Sequence, residues 1–308
     1  MAEEYVDTYL LAGRAGELAH PEFPFGQYSD DTQLARELLV SWVETGSWSP
    51  EAFARRLAAL FGEGRDVGAG GGTRAAAKRL LDGTHWSRSG TPAPYAGNGS
   101  AMRAAPMGLL FGSDTRSMAE ATVTQSRITH QDPRCSAGAL AVACAVSLAA
   151  ERRAVRTGEF VGSIAALIAP VDASVAAAVQ GLDRWAHLPP SAAARQLHAE
   201  GLDPDHTEEW RGVSAFVAPS VVWSLYAFLR TPDDYWATVC TAIRVGGDTD
   251  TMAAMAGAIS GARLGPSALP PRLVERLNDR GAWGSGALVE LARAAARLAG
   301  DSPAVIVG

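Results

Sequence analysis

Apolar positions recur at helical spacing along most of the chain. Leu34, Leu38, Leu39 and Trp42 share one face of a segment that begins after Asp31, which predicts an amphipathic helix. Ser29, Asp30 and Asp31 stand at its start, where side-chain oxygens cap orphan amides. Further helices are predicted over 51–61, 73–82, 115–128, 133–152, 158–168, 171–181, 190–199, 212–229, 233–244, 250–263 and 284–299. In the helix over 250–263, Ala253, Gly257 and Gly261 form a stripe of small residues that permits close helix contact, with Met252, Met255 and Ile259 on another face for packing. Turn-forming stretches separate the helices. Residues 62–72, GEGRDVGAGGG, are expected to be a mobile loop, and residues 83–99 carry Pro92, Pro94 and the turn dipeptide Asn98-Gly99. Residues 1–28 are weakly patterned and read as a short helix and a loop. The best linker candidate, 200–210 with Pro204, is short. With no fixed-period repeat and few β-branched runs, the expected architecture is all-α, a single compact multi-helix domain over residues 1–308.

Composition narrows the function classes. Across 308 residues, 47% hydrophobic and 19% charged content supports a sizeable core and excludes global disorder. A net charge of −6 argues against a basic nucleic-acid footprint. Cys135, Cys144 and Cys240 form no CxxC or Cys/His cluster, which removes structural zinc and a disulfide framework and fits a reducing, cytoplasmic location. The start, MAEEYVD, lacks the basic residues and apolar core of a signal peptide. The apolar run from Ser136 to Ala150 is too short to span a bilayer, so no membrane partner is expected.

Two acidic clusters carry the clearest chemistry: Ser29-Asp30-Asp31-Thr32 and Asp248-Thr249-Asp250-Thr251. Each sets two carboxylates and nearby hydroxyls at the mouth of a helix, the oxygen-only donor set that hard cations take. The bland reading of one such pair is a helix cap with a solvated neighbour; two pairs, each before a small-residue helix, favour a two-cation site that orients hydroxyls and activates water. Gly246-Gly247 allows close backbone approach to a ligand. The turn Gly97-Asn98-Gly99-Ser100-Ala101-Met102-Arg103 exposes amides that could cradle an anion, with Arg103 adding charge; its bland reading is a turn with a structural arginine. His130 precedes the helix expected from Pro133, beside its positive end, where an imidazole suits a phosphate; a lone loop histidine is more often structural or solvated. His20, His85, His187, His198 and His206 have no companions that suggest a ligand set. No GxSxG elbow, P-loop or dinucleotide fingerprint is present.

Taken in order, YSDDTQLA at 28–35, GNGSAMRAAPMG at 97–108, ITHQDP at 128–133 and GGDTDTMAAMAGAISGA at 246–262 resemble the ADP-ribosylglycohydrolase family over about residues 28–265. The resemblance implies a compact all-α fold and a binuclear Mg²⁺ or Mn²⁺ centre. Its ligands would be Ser29, Asp30, Asp31, Asp248, Asp250 and Thr251. It implies that Gly97, Asn98, Gly99, Ser100, Met102, Arg103 and His130 surround ADP-ribose, and that Asp30, Asp31 or Asp250 takes the proton of the attacking water. The implied activity is hydrolysis of the glycosidic bond between ADP-ribose and a modified acceptor. That acceptor would be a protein or a small conjugate, with nucleic acid a partner only as an ADP-ribosylated substrate. One alternative is a family member that keeps the fold as an inactive ADP-ribose-binding or structural protein; another is a metal hydrolase for a different nucleotide–ribose conjugate. The family's glycine-rich N-terminal helix, roughly GxxxGDAxG, finds no match; GRAGE at 13–17 is nearest, which makes Glu17 a weak substitute for the family's acid. Gly83 to Tyr95, with Trp86 and Tyr95, is a possible wall for the leaving group.

Overall fold

A computed structural model describes residues 2–17, 23–199 and 212–300. The expected helices are present: α1 Asp30–Thr45, α2 Pro50–Gly62, α3 Gly71–Leu81, α4 Thr115–Arg127, α5 Pro133–Ala150, α6 Thr157–Ile168, α7 Ala173–Trp185, α8 Pro190–Ala199, α9 Val217–Arg230, α10 Tyr235–Arg244, α11 Thr249–Leu264 and α12 Ser285–Leu298. Among the described residues the only β-type pairing is a few isolated bridges, so the architecture is all-α. The linker candidate at 200–210, like His20 and His206, falls outside the described residues.

Helix α5 is the axis of the core. Its run of alanines, Val142, Val146 and Leu140 is buried nearly all round, and it packs against α4, α6, α7, α9, α11 and the short helix Met107–Leu110. Asp132 caps it by accepting from the Arg134 amide at 3.0 Å, and Pro133 occupies the first turn, where no amide partner is needed. By length and hydropathy this helix could cross a membrane, being 18 residues with mean hydropathy 1.4; the expectation from 136–150 alone understated it. Its burial inside the fold, 78% of that window, accounts for the apolar character as core. Small residues let neighbours approach closely. A Cβ at Gly108 would run into the Ala143 carbonyl oxygen of α5. The stripe on α11 does what its spacing predicts: Gly257 and Gly261 lie against Tyr235 of α10, with Val239 also beside Gly257, while Met252, Met255 and Ile259 are fully buried.

Two local expectations are corrected. The helix expected from residue 212 begins at Val217; residues 213–216 are non-helical and are held by backbone bonds to two other segments. The glycine-rich stretch 62–72 is anchored as well. The Val67 carbonyl accepts from the Asp30 amide at 2.8 Å, and the Val67 amide donates to Gln33 Oε1 at 2.9 Å. Gln33 Nε2 in turn donates to the Arg65 carbonyl. Near the N-terminus, Ala2–Tyr5 continues as a wide helical turn, Val6–Leu10, whose Val6 and Leu10 pack with Cys240 of α10. Glu17 lies in an exposed turn, bound by Arg14 at 2.9 Å.

A buried ionic cluster fixes α1. Arg36, fully buried, donates to Asp279 Oδ2 at 2.7 Å, to Glu37 Oε1 at 2.8 Å and to the Tyr28 hydroxyl at 3.1 Å. Arg56 of α2 binds the other Glu37 oxygen at 2.6 Å. Arg36 also lies 5.1 Å from the centre of the Trp283 ring. The cluster therefore joins α1, α2 and the segment before α12.

Burial would raise the Asp279 carboxyl, but hydrogen bonds from Arg36, Gln33 and Gln27 outweigh it and hold it below the ordinary carboxylate range. Such a group stabilises the fold above its unfolded-state pKa, and that contribution is lost as pH falls through the depressed folded value. Asp279→Asn should therefore lower stability at neutral pH by about 1.5–3 kcal/mol, with the difference from wild type closing below about pH 4 in denaturant titrations. Gly108→Ala should lower stability by about 1–3 kcal/mol, read as a lower thermal midpoint with unchanged helical circular dichroism.

Candidate active site

The two acidic clusters meet. α1 and α11 pack against each other, and their N-terminal turns bring Asp30, Asp31, Asp248 and Asp250 into one electrostatic field. The capping explanation fails at both ends. Ser29 occupies the cap position of α1, but its hydroxyl caps no amide and donates instead to Asp31 Oδ2 at 2.6 Å. Asp248 occupies the cap position of α11, and its Oδ2 accepts from Asn98 Nδ2 at 2.6 Å rather than from its own helix. The amides of Asp30 and Asp248 go to the carbonyls of Val67 and Val213.

Like charge in a buried place raises carboxyl pKa values. Burial, reinforced by Asp31, Asp250 and Asp248, pushes Asp30 up to about 8. Burial and Asp250 push Asp31 to about 6, against hydrogen bonds from Ser29 and Thr251. Burial raises Asp248 to about 7, against the Asn98 bond and with Asp250 and Asp31 adding to the rise. Asp31 Oδ1 is buried without a hydrogen-bond partner. Ser29, Asp30, Asp31, Asp248, Asp250 and Thr251 thus offer only oxygen donors, the chemistry hard divalent cations take. Among the described residues, no three His, Cys, Asp or Glu side chains are drawn onto a single point at metal-ligating distance.

Backbone bonds through residues 213–217 tie the GNG turn to this acidic pair. Asn98 N donates to the Ala215 carbonyl at 2.9 Å and Val217 N to the Ala96 carbonyl at 2.9 Å. On the other side, Val213 N donates to the Gly246 carbonyl at 3.2 Å, and Asp248 N to the Val213 carbonyl at 2.8 Å. Gly246 and Gly247 have φ of 80° and 84°, and a Cβ at Gly247 would collide with the Val213 backbone, so this turn requires glycine. Asn98 also donates to Ser220 Oγ at 3.1 Å, which fixes its amide toward Asp248.

The remaining predicted residues form the floor and flank of the same region. Gly97 and Gly99 border the His130 imidazole. Ser100 is fully buried and accepts from Ser126 Oγ at 2.9 Å; Met102 is buried in the core. Arg103 lies under the turn rather than in its open face. Fully buried, it donates to Gln125 Oε1, the Gly99 carbonyl, the Gln125 carbonyl and Thr129 Oγ1, all at 2.8–2.9 Å. The structure thus places it as a brace for the turn and the 125–129 segment. His130 is buried, and burial together with Arg103 lowers its pKa to about 3 against the pull of Asp132, so the ring is neutral.

Sequence reasoning missed several neighbours. Gly68, in the supposedly mobile stretch, sits beside Asp30 and Ser29; an added Cβ there would lie 3.8 Å from both. Gly72 borders His130, and Thr129 bonds its Nδ1 at 2.8 Å. A Thr-His pair has no distinguishing spacing, and the glycines of the loop matched no known fingerprint. Of the two aromatics expected as a wall, Tyr95 stacks on His130 with ring centres 5.9 Å apart and accepts from the Gly72 amide. Trp86 instead donates to Glu51 of α2.

Comparison with known proteins gives a consistent result. The family model described as ADP-ribosylglycohydrolase matches residues 3–304. The ADP-ribosylhydrolase ARH3 of Mus musculus is 28% identical over 273 residues, covering 79% of this chain and 71% of the relative. The ADP-ribosylarginine hydrolase Tri1 of Pseudomonas putida is 27% identical over 259 residues, covering 82% of this chain and 62% of the relative. A solved structure titled ADP-ribosylglycohydrolase-related protein complex superposes with a TM-score of 0.65 at 23% identity, covering 90% of this chain and 83% of that one, which shows the shared fold. With its helices, its paired acidic starts and a match that runs over nearly all its residues, the chain belongs to the ADP-ribosylglycohydrolase family.

Proposed function

We propose that the protein hydrolyses the glycosidic bond that joins ADP-ribose to an acceptor, a modified protein or a small ADP-ribose conjugate, with two divalent cations of the Mg²⁺ or Mn²⁺ kind. The observation that carries this reading is the meeting of two acidic helix starts whose carboxylates do not cap their helices, with Asp31 Oδ1 buried and unpartnered. Family membership and the named activities of the relatives support the bond class.

Ser29, Asp30, Asp31, Asp248, Asp250 and Thr251 would hold the cations. When bound, such cations supply positive charge for vicinal hydroxyls and lower the pKa of water. The chain's own side chains do the rest. Asn98 holds Asp248 in orientation through the 2.6 Å bond. Carboxylates beside the anomeric carbon stabilise the oxocarbenium character that develops as the bond breaks. Asp30, Asp31 or Asp250 accepts the proton of the attacking water. The name of Tri1 specifies ADP-ribosylarginine and that of ARH3 specifies no linkage, so the acceptor is a question for a substrate panel.

ADP-ribose release from a panel of arginine-, serine-, nucleic-acid- and small-molecule-linked substrates, with Mg²⁺, with Mn²⁺ and with EDTA, tests the proposal. Release that needs a cation is the expected result, and the responding substrate identifies the linkage. Asp250→Asn should lower kcat by about 10²–10⁴-fold with unchanged helical circular dichroism. No release from any substrate, with ADP-ribose binding retained in calorimetry, would instead favour an inactive binding protein.

The crowded carboxylates give a second prediction. The folded pKa values of Asp30, Asp31 and Asp248 stand above the unfolded value, so the stability they contribute is present at low pH and lost as pH rises through the folded values. In EDTA, Asp30→Asn should therefore melt higher than wild type, by about 2–4 °C or more, with a gap that widens between about pH 4 and pH 8. Adding Mg²⁺ or Mn²⁺ should raise the wild-type midpoint and leave the variant nearly unmoved. A gap that narrows with rising pH would contradict the charge argument.

A further inference from the structure

His130 is the one buried imidazole at the site, and its hydrogen bonding determines what it can offer a ligand. Thr129 Oγ1 lies 2.8 Å from His130 Nδ1. The same oxygen accepts from Arg103 Nη2 at 2.8 Å. Arg103 has only donors, so the hydroxyl proton of Thr129 must go elsewhere. Two acceptors are within reach: Nδ1 at 2.8 Å and the Ser126 carbonyl at 3.5 Å. The shorter bond takes the proton, which makes Nδ1 the acceptor and leaves the ring hydrogen on Nε2.

Nε2 has no hydrogen-bond partner among the described residues and faces glycines. A Cβ at Gly72 or Gly97 would lie 3.0 or 3.3 Å from it, and one at Gly99 would lie 3.0 Å from Cε1. Tyr95 stacks on the ring and lies against the same two glycines, Gly72 and Gly97. Arg103 and Asp132 are the charged groups acting on the ring, with Arg103 and burial opposing a second proton. The imidazole therefore has one ring nitrogen without a protein partner, and it lies beside the turn that borders the acidic pair.

We propose that Thr129 is a positioning residue that relays Arg103 to His130 and fixes the imidazole as a neutral Nε2–H donor, held beside Gly72 and Gly97 for an acceptor oxygen of the substrate. The identity of the substrate rests on the proposed function; the tautomer does not. Reversal of the tautomer would present a lone pair to that oxygen in place of a proton. The sequence Arg–Thr–His thus acts as a fixed orientation device, with the charge kept behind the turn and only its polarity transmitted.

The test labels the histidines of the full chain isotopically and reads long-range proton–nitrogen correlations at neutral pH, which show directly which ring nitrogen carries hydrogen. Wild type should show His130 neutral with the proton on Nε2. Thr129→Ser, which keeps the hydroxyl, should show the same. Thr129→Val, which keeps the shape and removes the donor, should show a mixed or Nδ1–H ring and lose about tenfold in kcat/KM, with Thr129→Ser restoring the rate. A wild-type ring protonated on Nδ1, or on both nitrogens, would overturn the proposal. So would Thr129→Val with an unaltered tautomer. Should Thr129→Val not fold, the wild-type spectrum still decides. The spectra need no substrate, so a failure of ADP-ribose release would count against the proposed activity and leave this assignment standing.

Discussion

Charge crowding is the constraint around which the rest of the molecule is arranged. Two helices begin beside each other with carboxylates in their first turns, and burial makes the mutual repulsion of Asp30, Asp31, Asp248 and Asp250 more severe. The positive ends of α1 and α11 offset part of it. The remainder must be resisted by the scaffold. The Arg36 cluster anchors α1 from one side, the bonds to Val67 anchor its first amide from another, and Asn98 holds Asp248. A site that is unfavourable by itself is maintained by the hydrogen bonds that hold its surroundings.

Two buried arginines serve this arrangement in different ways. Arg36 is neutralised by Asp279 and Glu37, so its role is to bind three segments into one unit. Arg103 has no carboxylate among its hydrogen-bond partners and is satisfied by carbonyls, an amide oxygen and a hydroxyl. Its charge is spread into the dipoles of the turn and of the segment before His130. The phenyl ring of Phe53, 5.3 Å from the guanidinium carbon, closes the remaining face.

Much of this was legible in the sequence. Helical periodicity located the long helices because their apolar stripes face a common core, and the acidic starts of α1 and α11 stood out because there are two of them, each before a small-residue helix. What remained hidden depended on contacts distant in sequence. Residues 212–216 read as helix because local propensity carries no record of bonds to Ala96, Asn98, Gly246 and Asp248. Residues 62–72 read as mobile because glycine signals freedom, whereas Gln33 and Asp30 bind the backbone there. Arg103 looked suited to an anion because a sequence does not reveal burial. Tyr95 and Thr129 flank His130 only because the 91–97 and 126–130 segments come together, through Thr91 and its bonds to Thr129 and Gln131.

The strap at 213–217 joins the GNG turn and the GGDTD turn through main-chain atoms. Its length and backbone path therefore carry the connection, while several of its side chains do not. Side-chain substitutions along such a strap leave these main-chain donors and acceptors in place, but adding or deleting one residue shifts every donor past its acceptor. The two halves of the site are in that sense registered like the rungs of a ladder, and the join depends on the segment's length more than on its side chains.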